Sequence, residues 1–333
     1  MRYSKNTVEK IATRNDAIEA LADDNRGVSQ AFWEEFLGNG ALGPFLAKIK
    51  DDDSGLQLRF RGNNTPEAIT VYYNNHMVWK ISKHTRGYKV EVSANHAKGT
   101  QKTKLLEKLN SEPLCFVTDS KHAQSYPYVI RKTYDSLFVD MTYNLMVDSI
   151  KDFFGTEKYQ EKKKQQELFD ALADSQNGLY VYDLEFKQRR SRCENEPDMF
   201  AVSYSDGKPQ SVVLIEVKST RKACENGISG LTKHLDGMHH YITESPNINN
   251  RKQEAHDIIF AYKGLNLHNP PKVVPNVEDI KRFETMIILT DTAIEYYHDH
   301  ADDIQEYIRK HDYNCEIMEW TESKMLKQLF KHS

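Results

Sequence analysis

The sequence predicts an α/β protein in two parts. The N-terminal part is α+β and holds an antiparallel meander. The C-terminal part is a mixed sheet flanked by helices. Three observations carry this expectation. Residues 56–93 hold short alternating runs separated by turn residues. Val212-Val213-Leu214-Ile215-Glu216-Val217-Lys218 is a dense aliphatic run of strand length. Beyond residue 227, helical periodicity and strand-like runs alternate, as they do when helices cover a sheet. The break between the parts is set near Gly155, giving domains 1–155 and 156–333.

The chain has 333 residues, a length that suits two domains. Its net charge of −4 excludes a globally basic nucleic-acid binder, so attraction to phosphate has to be local. A local source exists. Lys187, Arg189, Arg190 and Arg192 crowd one short connection, which is either a solvated loop or a phosphate contact. The cysteines Cys115, Cys193, Cys224 and Cys315 form no Cys-x-x-Cys pair, which argues against a zinc ribbon. Their scatter suits reduced thiols in a cytoplasm. No apolar run approaches a membrane span, and no signal peptide is visible, so no membrane is expected as a partner.

In chain order, residues 7–50 read as helical. Pro44 opens a short helix through Phe45, Leu46 and Ile49. Leu56–Arg61 alternates cleanly. Ile69–Tyr73 and Met77–Ile81 flank Asn74-Asn75, a pair that tolerates positive φ and so marks a hairpin. Lys89–Val92 completes a four-stranded meander with one wet face. Arg59, Arg61, Lys80 and Lys83 are assigned to that face, which is either solvated or a nucleic-acid or partner surface. A short strand is expected at Leu114–Val117. Ser136–Phe154 carries Leu137, Phe138, Met141, Leu145 and Ile150 at helical spacing.

Glu157–Asp174 reads as a helix with Leu168, Phe169 and Leu172 on its apolar stripe. Leu179–Phe186 is the next strand, with Val181, Asp183 and Glu185 on one side of it. Met199–Tyr204 and the Val212–Lys218 run flank Ser205-Asp206-Gly207-Lys208-Pro209, which predicts a hairpin. Alternation turns Glu216 and Lys218 to the same side. A buried strand that does this needs water, a partner or a site for its charges. Asp198 heads the neighbouring strand and brings a second carboxylate. Two such carboxylates suit a hard divalent cation such as Mg²⁺, and a nearby lysine suits charge on a phosphate or a water. That constellation suits hydrolysis of a phosphodiester.

Pro197-Asp198 and Glu216-Val217-Lys218 together resemble the two halves of the PD-(D/E)XK nuclease signature, over roughly residues 157–245. The resemblance implies a restriction-endonuclease-like core and a metal-dependent endonuclease acting on nucleic acid, most naturally DNA. It implies Mg²⁺, with Mn²⁺ able to substitute, held by Asp198, Glu216 and the Val217 carbonyl, with Lys218 at the attacking water. In that superfamily the helix before the hairpin often gives a further acid. Glu161 is the choice here, because it shares a face with Leu168 and Leu172, and Glu157 stands one turn behind. Arg189, Arg190 and Arg192 would meet backbone phosphates. Relatives carry a polar substrate contact, commonly glutamine, on the helix after the lysine. His234 stands there instead, a departure that leaves the contribution of this helix open. A homodimer and a role in restriction or phage defence fit the same resemblance. The rivals are a non-catalytic binding module on this fold and an RNA-directed nuclease.

The remaining elements are a helix at Glu254–Tyr262, a Pro-rich connection at Pro270, Pro271 and Pro275, and a strand at Phe283–Leu289. A helix at His298–Lys310, an edge strand at Tyr313–Trp320 and a last helix at Ser323–Phe330 follow. His298-Asp299-His300 lacks metal-site spacing and reads as a solvated helix start.

Overall fold

A computed structural model describes residues 28–60, 67–85, 87–92, 97, 99–111, 134–154, 160–172, 178–184, 197–225, 230–244 and 248–321. For residues 110, 153, 154 and 160–163 the description stops at the backbone. The expected helix before residue 28, Arg61, the strand at 114–117, Cys115, Glu157, Glu185, the basic stretch from Lys187 to Arg192, Cys193 and the last helix lie outside these residues. The chain divides into two compact units. One gathers the described residues of Arg26–Leu168 and Phe260–Leu267, the other those of Phe169–Ile259 and His268–Ser333.

In the first unit, helix α1 (Gln30–Trp33) is capped by the Ser29 hydroxyl, which accepts from the Phe32 N–H. Helix α2 (Gly43–Ile49) opens with Pro44 in its first turn, where no amide hydrogen is needed. Strands β1 (Leu56–Phe60), β2 (Ala68–Tyr73), β3 (His76–His84) and β4 (Gly87–Glu91) form the expected meander, antiparallel throughout. The β2–β3 turn is Asn74-Asn75, with φ of 46° and 57°, the left-handed pair that a tight hairpin needs. Helices α3 (Gly99–Ser111) and α4 (Ser136–Phe154) follow. On one sheet face Trp79 is fully buried, donates to the Thr142 hydroxyl of α4 at 2.9 Å, and meets Phe45 edge-on at 5.1 Å.

The opposite face differs from the expectation of a wet surface. Arg59 is fully buried. Its guanidinium donates to Asn75 Oδ1 at 2.6 Å, Gln57 Oε1 at 3.1 Å and Gln166 Oε1 at 2.9 Å. Gln166 comes from helix α5 (Gln160–Leu172), whose Gln165 also accepts from Asn75. A buried polar network replaces solvent there, because Gln57 and Asn75 of the meander and Gln166 of α5 together supply acceptors for the guanidinium. Lys83 stands exposed beside Glu67 at 3.4 Å, but two residues beyond Ile81 it belongs to the Trp79 side of the sheet, not to that of Arg59.

The second unit holds a five-stranded sheet of β5 (Leu179–Leu184), β6 (Met199–Ser205), β7 (Lys208–Lys218), β8 (Arg282–Thr290) and β9 (Cys315–Trp320), in that spatial order. β5, β6 and β7 pair antiparallel, while β7, β8 and β9 pair parallel. The sheet is therefore mixed, as expected. The β6–β7 turn is Asp206-Gly207, both with positive φ, which fits a two-residue hairpin. Parallel neighbours need crossovers. Helices α6 (Arg221–Cys224), α7 (Leu231–Glu244) and α8 (Asn250–Leu265) connect β7 to β8, and α9 (Thr292–Lys310) connects β8 to β9. The last six residues of α8 belong to the first unit.

β7 is buried from Ser211 to Lys218, which explains its unbroken aliphatic run. Two local features escape the pattern. β5 has a bulge between Val181 and Asp183, so Val181 pairs with Ala201 but Asp183 pairs with Phe200. Helix α9 starts at Thr292 rather than His298, with Asp291 at a positive φ of 49° before it. His298 thus lies inside α9, where it meets Glu319 of β9 at 2.6 Å. Among the described residues, no helix is long and apolar enough to cross a membrane.

Candidate active site

The hairpin register builds the site. Met199 pairs with Ile215, so Asp198, one residue ahead of β6, falls beside Glu216. The Asp198 carboxylate accepts the Val217 backbone N–H at 2.8 Å through Oδ2. That bond fixes the head of β6 against the end of β7. Glu216 and Lys218 alternate to the same side, and Lys218 Nζ donates to Glu216 Oε1 at 2.8 Å. Their side chains are only 4% and 5% exposed, respectively, so this is a buried ion pair. It lies at the carboxyl ends of the parallel strands β7 and β8, where Lys218 pairs with Leu289. In open α/β sheets this is the end where ligands bind.

Helix α7 supplies the fourth group. Its apolar stripe, Leu231, Leu235, Met238 and Tyr241, is buried, and Tyr241 packs on Phe200 of β6 with ring centres 6.4 Å apart. His234 follows that stripe inward. Its Nδ1 lies 2.9 Å from Glu216 Oε1, yet out of line for a hydrogen bond. Glu216 Oε2 is buried and has no hydrogen-bond partner. Leaving a carboxylate oxygen dry and unbonded is costly. The donor set fits a hard cation: two carboxylates on adjacent strands, one with a free buried oxygen. Among the described residues no trio of His, Cys, Asp and Glu side chains is already gathered in metal-holding geometry.

The structure therefore brings together Asp198, Glu216, Lys218 and His234, with Val217 taking part through its N–H. Glu161 lies on the backbone of α5 and its side chain is not described. Arg189, Arg190 and Arg192 lie outside the described residues.

Two further groups near the site were not singled out from the sequence. Asp183 is buried, and its bulged register gives it the face of Phe200, which pairs with Leu214 two residues before Glu216. Period-two reading cannot see a bulge. Cys224, on the short α6, is the other. Burial pushes its thiol up to about 11, against the opposing pull of Lys218. Cys224 should then alkylate at pH 8 about a hundredfold more slowly in the native chain than in urea. Mass spectrometry of the labelled peptides reads this directly, and equal rates would mean an open thiol.

Compared with protein-family models, with curated proteins and with solved structures, the chain has no match.

Proposed function

We propose that this chain is a metal-dependent nuclease with a restriction-endonuclease-like C-terminal core, acting on DNA as an endonuclease. One observation carries the reading. Asp198, half-buried at the head of β6, binds the Val217 N–H between Glu216 and Lys218, a buried ion pair whose Glu216 Oε2 lacks a partner. Asp198, Glu216 and the Val217 carbonyl would hold Mg²⁺ or Mn²⁺. When bound, such an ion supplies positive charge for the phosphodiester and an acidified water.

The chain's own groups do the rest. Lys218 has three N–H donors and gives one to Glu216, so two remain for a water and a phosphate oxygen. Glu216 holds the ammonium in place, and the Asp198–Val217 bond keeps the two strand ends in register. Water then attacks phosphorus while its proton passes to solvent, the bond to the 3′ oxygen breaks, and that oxygen leaves as a hydroxyl by taking a proton from solvent. Glu161 completes the acidic set, and Arg189, Arg190 and Arg192 meet the backbone phosphates. Restriction or phage defence is the setting such an enzyme fits, and a homodimer would cut both strands.

The test is a digest of supercoiled plasmid, single-stranded DNA and RNA, with and without Mg²⁺. Wild type cuts DNA only with metal. Lys218→Ala and Lys218→Met, checked for folding by circular dichroism, lose about a hundredfold or more. Binding without cleavage in any metal would make the protein a binding module on this fold. Cleavage of RNA alone would make it an RNA-directed nuclease.

A further inference from the structure

The imidazole of His234 is an unusual neighbour for the Glu216–Lys218 pair. It is set inward by α7, its Nδ1 is buried, and that nitrogen has no hydrogen bond. Glu216 Oε1 stands 2.9 Å from it. The second oxygen of the same carboxylate is equally buried and unbonded. A buried imidazole nitrogen and a buried carboxylate oxygen, each without a hydrogen bond, are expensive separately. A cation held between the ring and the carboxylate would offset both costs. Two ligands at right angles, each about 2.1 Å from one ion, stand about 3 Å apart, and Nδ1 stands 2.9 Å from Oε1 of the carboxylate that would share the ion.

We propose that His234 is a nitrogen ligand of the ion held by Asp198 and Glu216, so that the site takes Mn²⁺ or Co²⁺ ahead of Mg²⁺. The inference rests on the reading of this cluster as a metal centre and adds the ligand that sets its selectivity. An all-oxygen site suits Mg²⁺, whereas imidazole favours first-row transition ions. His234 also sits on a helix packed against the sheet, so its ring is held at the site by the same stripe that anchors α7.

The experiment uses the full chain and two readouts. Calorimetry measures Mn²⁺, Co²⁺ and Mg²⁺ binding to wild type and to His234→Gln. Pulsed electron paramagnetic resonance of the Mn²⁺ complex detects coupling to a nitrogen nucleus, and on wild type it needs no variant. The expected result is nitrogen coupling in wild type that disappears in His234→Gln. Affinity for Mn²⁺ and Co²⁺ falls roughly tenfold or more in the variant, while that for Mg²⁺ changes by less than about threefold. Mn²⁺ binding without nitrogen coupling overturns the inference and leaves the nuclease reading intact. Failure of all three ions to bind overturns both.

Discussion

Glu216→Gln is expected to silence cleavage and to cost roughly 3–5 kcal/mol of stability. The second effect follows from the burial of the pair. The Lys218 ammonium is 5% exposed and its carboxylate partner 4% exposed, at 2.8 Å. Removing the negative charge alone leaves a cation in a dry place with only an amide oxygen to meet it. Adding Lys218→Met removes both charges. Stability should then return to within about 2 kcal/mol of wild type or rise above it, because a buried pair recovers little more than its desolvation. Cleavage should stay absent. Urea denaturation of the four proteins gives the coupling energy of the pair. A coupling near zero would mean that water reaches these charges and that the site is not closed as described. The cycle also separates two meanings of an inactive mutant: only a loss of activity that persists in the restored double variant belongs to chemistry.

The elements that could be read in advance were those whose pattern arises locally. β7 announces itself because both of its faces are buried, so nearly every residue from Val212 to Val217 is aliphatic. The Asn74-Asn75 and Asp206-Gly207 turns were legible because left-handed backbone restricts which residues fit. The hairpin joining Asp198 to Glu216 was legible, but its register was not: the turn alone would set Asp198 opposite Ile215, and a shift between Ser203 and Tyr204 moves it opposite Glu216. What stayed hidden depended on distant chain. Period-two alternation sorts side chains by face but says nothing of what covers the face, so Arg59 reads as solvated or as part of a nucleic-acid or partner surface, although α5, 107 positions further on, meets it. The bulge at Val181–Asp183 resets the alternation without a glycine or proline to mark it. His234 could be placed on a helix, but its meeting with Glu216 needed the fold of the crossover.

Arg59→Met is expected to destabilise the meander unit by about 4 kcal/mol, a cost reserved for specific mechanisms such as the break-up of a buried polar network. The guanidinium reaches Asn75, Gln57 and Gln166 together and lies over the Tyr72 ring at 4.2 Å. Methionine fills much of the stem's volume but donates nothing. Three amide oxygens then lose a charged donor, at about 1–3 kcal/mol each where they cannot turn to water. Arg59→Lys should recover only part, because one ammonium cannot span acceptors that a planar fork reaches from two nitrogens. The measurement is the urea midpoint followed by tryptophan fluorescence, with buried Trp79 on the other face of the same sheet as reporter. The same variant separates two roles for this face. An arginine that contacts nucleic acid would, when replaced, weaken binding and leave the midpoint alone. An arginine that ties β1 and the β2–β3 turn to α5 lowers the midpoint. It alters nucleic-acid binding only when the unit unfolds, because no atom of the guanidinium reaches solvent.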